Sequence, residues 1–347
     1  MSIIPHSRPT LNEEEIEAIG KVVKRGEIAC GEEVKKLEES FSQFTGRKYS
    51  VALNSGTSSL FLALYALGLG EKDKVIIPSY TCSALLHAVL QLKAHPIVVD
   101  ISPEDLQLDA EKMKENLSPD VKAIILPHMF GIVARVENYL IPGVYLIEDC
   151  AQALGAKRGG KKGIMTVYSF YATKLITTGE GGMITTDQEK IAEDLKDLRE
   201  YDKKNSFRLR FNMKMSDLQA SLGRVQLKKL PFFLERRQEI AKFYHSYFLK
   251  KGLTSPSCTV RENIFYRYLI KVKEDKLPQI QEEFLKEGIE CKRPVFLPLH
   301  RYLNLKDSFF PHTSEAYNSL LSLPIYPSLK DSEVERVVEV AKRIFGK

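Results

Sequence analysis

The chain has 347 residues, of which 44% are hydrophobic and 28% charged, a balance typical of a globular protein of about two domains. Its 51 basic and 45 acidic residues give a net charge of +6 and are interspersed, so we expect no nucleic-acid partner. The longest apolar run, LFLALYALGLG, is too short to span a bilayer, and the start MSIIPHSRPTLNEEE lacks the pattern of a secretory signal. We therefore expect neither membrane insertion nor secretion.

The cysteines are odd in number, widely spaced and without a CxxC pair: Cys30, Cys82, Cys150, Cys258 and Cys291. This pattern argues against a disulfide framework and against a zinc site. It predicts reduced thiols, a cytoplasmic protein and no metal.

Short apolar strands alternate with helices through most of the chain. The first helix is indicated by LNEEEIEAIGKVVKRG, in which Asn12 can cap the helix and Glu15 stands three residues later. The predicted strands are YSVALN, KVIIP, HPIVVD, VKAIILPH, GVYLIED, TVYSFYA and GGMITTD. The predicted helices between and after them are GTSSLFLALYAL, TCSALLHAVLQL, LDAEKMKENL and QEKIAEDLKDLREY. This alternation predicts an α/β fold with a mainly parallel, seven-stranded-type sheet that is flanked by helices.

The pattern changes towards the carboxyl end. A long charged helix around FFLERRQEIAKFYHSYFLKK is followed by the alternating strand IFYRYLIKV. Two amphipathic helices then follow, KLPQIQEEFLKEG and DSEVERVVEVAKRIF. Segregated elements of this kind predict a smaller α+β domain. We therefore divide the chain into a large α/β domain, residues 1–235, and a small C-terminal α+β domain, residues 236–347.

The segment ALNSGTSSL combines a strand end with a helix start. The strand ends at Asn54, and Gly56 allows the backbone to approach a ligand closely. Thr57 and Ser58 supply hydroxyl groups and free N–H groups at the positive end of the helix. These features predict a phosphate site, although a simple helix cap would look the same.

A second strand end carries two adjacent acids. In YLIEDCAQALGA, an apolar strand delivers Glu148 and Asp149 to its carboxyl end. A buried carboxylate is costly unless it faces a cation, and one candidate is the protonated ring nitrogen of a pyridine cofactor. The alternative is an ordinary aspartate that caps the next turn. Gln152 stands three residues after Asp149 and can reach another polar atom of the same ligand.

The segment SFYATKLITTGEGGM supplies the amine. Ser169 ends a strand, and Lys174 follows among small, hydroxylic and aromatic residues. A partly desolvated lysine amine forms Schiff bases with carbonyl groups. The segment FNMKMSDLQASLG places Asn212 just ahead of a helix start. We expect the glycines that follow the lysine to adopt the positive φ values of a tight turn, namely Gly179, Gly181 and Gly182.

A phosphate site, a strand-end carboxylate and a lysine in this order match the three polar ends of pyridoxal 5'-phosphate (PLP). The protein would hold the phosphate, keep the ring nitrogen protonated with Asp149 and engage the aldehyde with Lys174. Each signal is weak alone, but each one serves a different group of the same cofactor.

Nearly the whole chain resembles the sugar aminotransferases of the DegT–StrS type, PLP enzymes with the aspartate aminotransferase fold (fold type I). The segments that carry the resemblance are IPHSRPTLNEEEIEAI, NSGTSSLFLAL, IEDCAQALGA, SFYATKLITTGEGGM, NMKMSDLQASLGRVQLKKL, RPVFLPLH and SLPIYPSL. The lysine segment also distinguishes this chain from relatives that carry histidine at that position and are dehydratases.

The resemblance implies roles for individual residues. Lys174 would be the cofactor-linked lysine that moves the proton between donor and cofactor, and Asp149 would pair with the pyridine nitrogen. Gln152 would lie near the cofactor hydroxyl, and Asn212 would reach the phosphate of the neighbouring subunit's cofactor. The phosphate would be held by Gly56, Thr57, Ser58 and Ser169.

Because Asn212 would act across a subunit boundary, the resemblance implies a homodimer with shared active sites.

Two positions depart from the family pattern. Cys82 stands where an aromatic residue usually stacks on the cofactor ring, so Tyr80 is a candidate to compensate. Lys214 stands in the last place of the Asn-x-Arg motif, which weakens any bidentate contact with an anion there.

The implied activity is a ping-pong transamination through the pyridoxamine form of the cofactor. An amino acid, with L-glutamate as first candidate, would supply the nitrogen, and a nucleotide-linked keto-sugar would accept it, in amino-sugar and surface polysaccharide biosynthesis. The alternatives are a PLP-dependent keto-sugar dehydratase and a non-catalytic regulatory protein of the same fold. The sequence leaves open the sugar and the roles of His128, His300 and the basic turn 157–162.

Overall fold

The computed structural model describes residues 3–254 and 262–346; Cys258, one of the five predicted free thiols, lies outside these residues. The first half of the chain forms α1 (Glu13–Arg25), α2 (Glu32–Thr45), β1 (Tyr49–Leu53), α3 (Gly56–Ala66), β2 (Lys74–Pro78), α4 (Ala84–Gln91), β3 (His95–Val99), α5 (Ala110–Glu115), β4 (Val121–Pro127) and β5 (Tyr145–Asp149). Next come β6 (Met165–Ser169), β7 (Gly182–Thr186), α6 (Glu189–Leu198) and the long helix α7 (Asp217–Phe248). The last elements are β8 (Tyr268–Lys271), α8 (Leu277–Lys286), α9 (Leu299–Tyr302), α10 (Pro311–Ser319), β9 (Leu320–Leu323) and α11 (Asp331–Phe345).

Seven strands form one sheet in the order β1-β7-β6-β5-β4-β2-β3. The pairs β2–β3, β2–β4, β4–β5 and β5–β6 are parallel, whereas β7 is antiparallel to both β1 and β6. The predicted α/β class and mainly parallel sheet are therefore confirmed. Strand β6 ends at Ser169, earlier than the sequence indicated, because the chain leaves the sheet there to form the Lys174 loop.

Helices cover both faces of the sheet because alternate strand residues point in opposite directions. In β1, Val51 and Leu53 pack with the apolar side of α3, while Ala52 packs on the opposite face against residues of α2 and α7. Helix α2 was not among the predicted helices. Val34, Leu37 and Phe41 are its buried stripe at helical spacing, so the signal was present in the sequence.

The carboxyl-terminal elements form a separate hydrophobic cluster that includes Tyr244, Tyr268 and Val337. Helix α7 passes through the predicted boundary without a break and contributes to the cores on both sides of it. Ile4 also packs in the carboxyl-terminal cluster and pairs with Ile289. The division at residues 235/236 stays a prediction, with the amino-terminal segment packed against the smaller unit.

None of the helices in the described ranges is both long and apolar enough to cross a membrane.

Candidate active site

Three predicted segments meet at the carboxyl edge of the sheet, where open α/β folds bind ligands. Asp149 and Ser169 are the last residues of the neighbouring parallel strands β5 and β6. The start of α3 packs directly against Ser169 at the end of β6. A Cβ atom at Gly56 would lie 2.7 Å from the Ser169 Cβ and 3.0 Å from its Oγ, so only glycine permits this approach.

The first turn of α3 offers free donors beside Ser169. The Ser55 hydroxyl caps the helix by accepting a hydrogen bond from the Ser58 amide at 3.0 Å. The amides of Gly56 and Thr57 have no partner among the described residues, because the first turn of a helix leaves its N–H groups unpaired. Two free amides at the positive helix end, with the hydroxyl groups nearby, form a cradle that suits a phosphate.

Asp149 and Glu148 point to opposite faces of β5 and have different surroundings. Asp149 is 6% exposed and its Oδ1 accepts one hydrogen bond, from the Ala151 amide at 2.9 Å. Burial raises the pKa of Asp149, and Lys174 opposes that shift through its positive charge. The negative charge of the buried Asp149 carboxylate is thus balanced by few groups of the chain. This setting fits a cationic group of a bound ligand.

Glu148 is a structural acid. Its carboxylate accepts hydrogen bonds from His128 Nε2 at 2.8 Å and from the backbone amides of Gly160, Lys162 and Gly163 at 2.7–2.8 Å. Burial acts to raise the pKa of Glu148, but these donors outweigh it and lower the pKa to about 2. The acid therefore fixes the basic turn 157–162 to the sheet.

Lys174 lies in the loop after β6, half-buried, with its ammonium 5.5 Å from the centroid of the Tyr266 ring. Its charge influences Asp149, Cys82 and Tyr266, so these groups surround one space. Burial acts to raise the pKa of Tyr266, but Lys174, Arg267 and a hydrogen bond to Thr173 lower it to about 8. The amine is therefore placed among an acid, a thiol and an acidic phenol.

The glycines after Lys174 are used differently from the prediction. Only Gly179 has a positive φ, at 78°. Gly181 and Gly182 are instead required by close packing, because a Cβ at either position would collide with Thr178 or with the Ser55 carbonyl. Gly182 thus allows β7 to lie directly against the loop that leads into α3.

The remaining predicted site residues have distinct settings. Gln152 Oε1 accepts a hydrogen bond from the amide of Phe130, a residue held at a positive φ of 63°. Cys82 is exposed as a residue, while desolvation of its thiol, with Asp149 adding to the effect, raises the thiol pKa. Asn212 is exposed near the β1 edge of the sheet, next to Met213, whose carbonyl accepts the Asn54 amide at 2.9 Å.

Tyr80, the residue considered as a substitute for the missing aromatic stack, points into the core. It is fully buried, packs against Phe130 and donates a hydrogen bond to the Ala316 carbonyl at 3.3 Å. Its hydroxyl group is therefore hydrogen-bonded to the Ala316 backbone and not directed towards Lys174. The prediction that Tyr80 compensates for Cys82 finds no support in this packing.

Both histidines that the sequence left open have structural partners. His128 Nδ1 accepts the Ala134 amide at 3.3 Å while its Nε2 bonds Glu148. His300 is buried, lies 2.6 Å from Ser79 Oγ and 2.8 Å from Asp307 Oδ1, and stacks on Phe310. All ring nitrogens of the two residues are thus engaged within the chain.

The Glu148 contacts lead to a prediction about acid stability. A folded pKa of about 2, below the ordinary 4.5, means that this carboxylate stabilises the fold fully above about pH 4.5. The contribution is roughly 3 kcal/mol and is lost as the pH falls towards 2. We expect Glu148→Gln to flatten the decline of the unfolding free energy over this window, as measured by urea titration. An unchanged pH slope would contradict the assignment.

Some residues near Lys174 were not identified from the sequence. Tyr266, Arg237 and Arg267 approach it from the carboxyl-terminal part of the chain, and Arg8 approaches from the amino-terminal segment. They are distant in sequence and belong to no local motif. The only signal was the YRY sequence within the strand segment IFYRYLIKV, which looks like ordinary strand alternation.

The residues present fit PLP. The free amides of α3 and Ser169 provide an anion cradle, buried Asp149 lacks a cationic partner of its own, and Lys174 supplies the amine. No group of three or more potential metal ligands is found within residues 3–254 and 262–346. The donor set thus suits an organic phosphate cofactor with a basic ring nitrogen.

Comparisons with known proteins identify the family of the chain. A model of the DegT/DnrJ/EryC1/StrS aminotransferase family matches residues 9–342. The spore coat polysaccharide biosynthesis protein SpsC of Bacillus subtilis is 33% identical, covering 98% of this chain and 97% of that protein. GDP-perosamine synthase of Caulobacter vibrioides is 32% identical, covering 91% of each.

Among solved structures, Spr1654 from Streptococcus pneumoniae in its PLP form superposes with a TM-score of 0.92. It is 26% identical, and the match covers 99% of both chains. The match of fold and sequence along almost the entire chain agrees with the cofactor that the site fits. The protein belongs to the DegT/DnrJ/EryC1/StrS aminotransferase family and is a PLP-dependent aminotransferase.

Proposed function

We propose that this protein transfers the amino group of L-glutamate to a nucleotide-linked keto-sugar, in the biosynthesis of an amino sugar for a polysaccharide. The observation that carries the proposal is the meeting of Lys174, buried Asp149 and the α3 cradle at one edge of the sheet. The names of two relatives support the sugar substrate: a GDP-perosamine synthase and a polysaccharide biosynthesis protein.

We assign the cofactor contacts as follows. The free amides of Gly56 and Thr57 and the hydroxyl groups of Thr57, Ser58 and Ser169 bind the phosphate. Asp149 holds a proton on the ring nitrogen, because its buried carboxylate has no other cation directly paired with it. When bound, PLP would supply an electron sink for the negative charge that develops as the donor loses its α-proton.

Other residues orient the reactants. Lys174 first accepts the α-proton of the donor as a general base. It then delivers a proton to the cofactor as a general acid. Gln152 fixes the Phe130 backbone with its carbonyl oxygen and leaves its amide nitrogen for the cofactor hydroxyl. Cys82 faces the ring of the cofactor.

The acceptor half of the reaction tests the proposal. The PLP-loaded protein is first converted with L-glutamate to the pyridoxamine form and separated from the remaining amino acid. A panel of nucleotide-linked keto-sugars is then added. We expect mass spectrometry to detect one product in which an amine replaces the carbonyl oxygen. A dehydratase would instead consume the keto-sugar without any amino donor, and loss of water without amination would contradict the proposal.

We further propose a homodimer in which Asn212 binds the phosphate of the partner's cofactor. The supporting observation is that Asn212 is exposed at the β1 edge of the sheet, so its side chain can contact a second subunit that packs there.

We also propose a cytoplasmic location, because Cys30, Cys82, Cys150 and Cys291 are all free thiols.

Asn212→Ala is expected to weaken PLP binding by about tenfold, because one hydrogen bond to a charged group is lost. The PLP dissociation constant can be measured by absorbance titration of the cofactor-free protein. Asn205→Ala, which removes another exposed asparagine from the same region, serves as the matched control.

Light scattering should give twice the chain mass of 39.5 kDa. The shared site would be refuted if light scattering gave the mass of a monomer and if Asn212→Ala left the PLP affinity unchanged.

A further inference from the structure

The aromatic ring of Tyr266 is surrounded by positive charges. The Lys174 ammonium lies 5.5 Å from the ring centroid, and the guanidinium carbons of Arg267 and Arg237 lie 4.8 and 6.0 Å from it. Tyr266 is 3% exposed, so solvent screens these charges little. A cation and the face of an aromatic ring attract each other, and the attraction is stronger when both are desolvated.

The arginines beside this ring have no acidic partner within the described parts of the chain. Arg237 donates to three backbone carbonyl oxygens, and burial lowers its pKa to about 10. Arg267 Nη1 lies 3.2 Å from Nδ1 of His6, whose pKa is held well below its ordinary value by burial and by the Arg267 charge. His6 is thus neutral at pH 7. Buried cations without a counter-ion are costly, so this setting favours a negative charge nearby.

An external anion does not fit between these side chains. The cavity that they line together with Lys174 has a volume of about 10 Å³, room for about one water molecule. None of the described residues that line it is an aspartate or a glutamate. Its titratable groups are those of Arg8, Lys174, Arg237, Tyr266, Arg267 and Tyr326. Among these residues, only a phenol can supply the negative charge.

The two phenols differ in how readily they ionise. Burial raises the pKa of Tyr326 to about 12. Burial also acts to raise the pKa of Tyr266, but the charges of Lys174 and Arg267 and a hydrogen bond from the Thr173 hydroxyl outweigh it. They lower the pKa of Tyr266 to about 8. Tyr266 is therefore the phenol that can become an anion among these cations.

The backbone of Tyr266 is fixed by the turn that follows β4. Phe130 and Gly131 have positive φ values of 63° and 95°. The Gly131 carbonyl accepts a hydrogen bond from the Ile264 amide at 3.1 Å. A Cβ atom at Gly131 would lie 2.7 Å from the Tyr266 nitrogen, so only glycine permits this approach. The left-handed turn at the end of β4 thus sets where the Tyr266 ring lies relative to the sheet.

We propose that Tyr266 is a positioning residue for Lys174: its ring holds the ammonium in place, and its phenolate form is the counter-ion of that ammonium. The positive charge that develops on Lys174 as it takes the α-proton is then stabilised where it forms. Asp149 and Cys82 also interact with the Lys174 charge, but neither is a main influence on Tyr266. The catalytic part of this inference rests on the proposed function, whereas the pairing is a property of the folded chain.

The phenol can be titrated without turnover. In the cofactor-free protein, we expect the ultraviolet absorbance of wild type minus Tyr266→Phe to show one phenol that ionises near pH 8. Lys174→Met removes the positive charge and should raise that midpoint by at least about one pH unit, with Lys174→Met/Tyr266→Phe as its reference.

Tyr326→Phe is the matched control, because Tyr326 is a buried phenol in the same walls, with its pKa raised to about 12. It should leave the titration near pH 8 unchanged.

The donor half-reaction separates the ring from the hydroxyl group. PLP-loaded protein is mixed with L-glutamate, and the visible absorbance of the bound cofactor is followed. Tyr266→Phe should react at nearly the wild-type rate at about pH 7 and more slowly than wild type at about pH 9, where wild type has gained the phenolate. Tyr266→Leu also loses the ring and should react about tenfold more slowly than Tyr266→Phe at both pH values. A merely structural role would lower the amount of folded protein without changing the pH profile.

The outcomes separate this inference from the proposed function. Identical absorbance titrations of wild type and Tyr266→Phe up to about pH 9 would show that no phenolate forms, and the inference would be wrong while the transaminase function stands. A midpoint that does not move in Lys174→Met would equally overturn the pairing. If wild type releases no 2-oxoglutarate from L-glutamate, the proposed donor is wrong, whereas the absorbance titrations still decide the pairing of Tyr266 with Lys174.

Discussion

Lys174→Ala is expected to lose at least about a thousandfold in the rate of transamination while the fold stays intact. The substitution removes both the amine that engages the cofactor aldehyde and the base that moves the α-proton, and proton transfer alone contributes about 10²–10⁴. The side chain is half-buried and forms no ion pair among the described residues, so little stability depends on it. The rate is measured as 2-oxoglutarate released from L-glutamate.

Lys157→Ala is the matched control, because Lys157 is exposed on the basic turn, away from the α3 cradle. It should keep wild-type activity and PLP absorbance. Circular dichroism and the thermal midpoint should agree among all three proteins. Near-normal transamination by folded Lys174→Ala would remove this lysine from the site.

Asp149→Asn is expected to lose at least about a hundredfold in activity, the scale found when one preorganised electrostatic group is removed. An amide cannot hold the ring nitrogen of the cofactor in its protonated state. The cofactor-free protein should not be destabilised, because burial raises the pKa of Asp149 and the ionised acid opposes folding. Activity is measured with saturating PLP, and stability by thermal unfolding without it.

Its neighbour provides the contrast. Glu148→Gln removes a buried acid that accepts four hydrogen bonds, so stability should fall by about 3–5 kcal/mol. The activity of each folded molecule should fall much less than in Asp149→Asn. Equal losses of activity per folded molecule in the two variants would contradict the division of roles along β5.

Local patterns were enough to predict the sheet and to indicate which side chains we propose as cofactor contacts. The strands alternate with helices, and each strand end carries a short polar motif, as at Asn54, Asp149 and Ser169. Because parallel strands bring their carboxyl ends to one edge, residues far apart in the chain could be placed together without a structure. The choice of Asp149 over Glu148 came from resemblance, and the structure adds a physical reason, since the two acids face opposite sides of β5.

Other features depend on contacts between distant segments, which no local pattern encodes. Arg8, Arg237 and Arg267 come from three separate parts of the chain and meet only after the carboxyl-terminal unit has packed against α7 and the amino-terminal segment. Gly181 and Gly182 were expected to adopt the positive φ values of a tight turn, but they instead allow close packing. The partners of His128 and His300 could not be identified for the same reason, because Glu148, Ser79 and Asp307 belong to different elements or loops.

The donor half-reaction is the most direct test of aminotransferase activity in this protein. The purified protein is loaded with PLP and mixed with L-glutamate, and the visible absorbance of the bound cofactor is followed while 2-oxoglutarate is assayed. We expect the absorbance to bleach with the release of one 2-oxoglutarate per site, and we expect neither change in Lys174→Ala. Bound PLP that stays unchanged in the presence of L-glutamate and of other amino acids would contradict the conclusion that this protein is an aminotransferase.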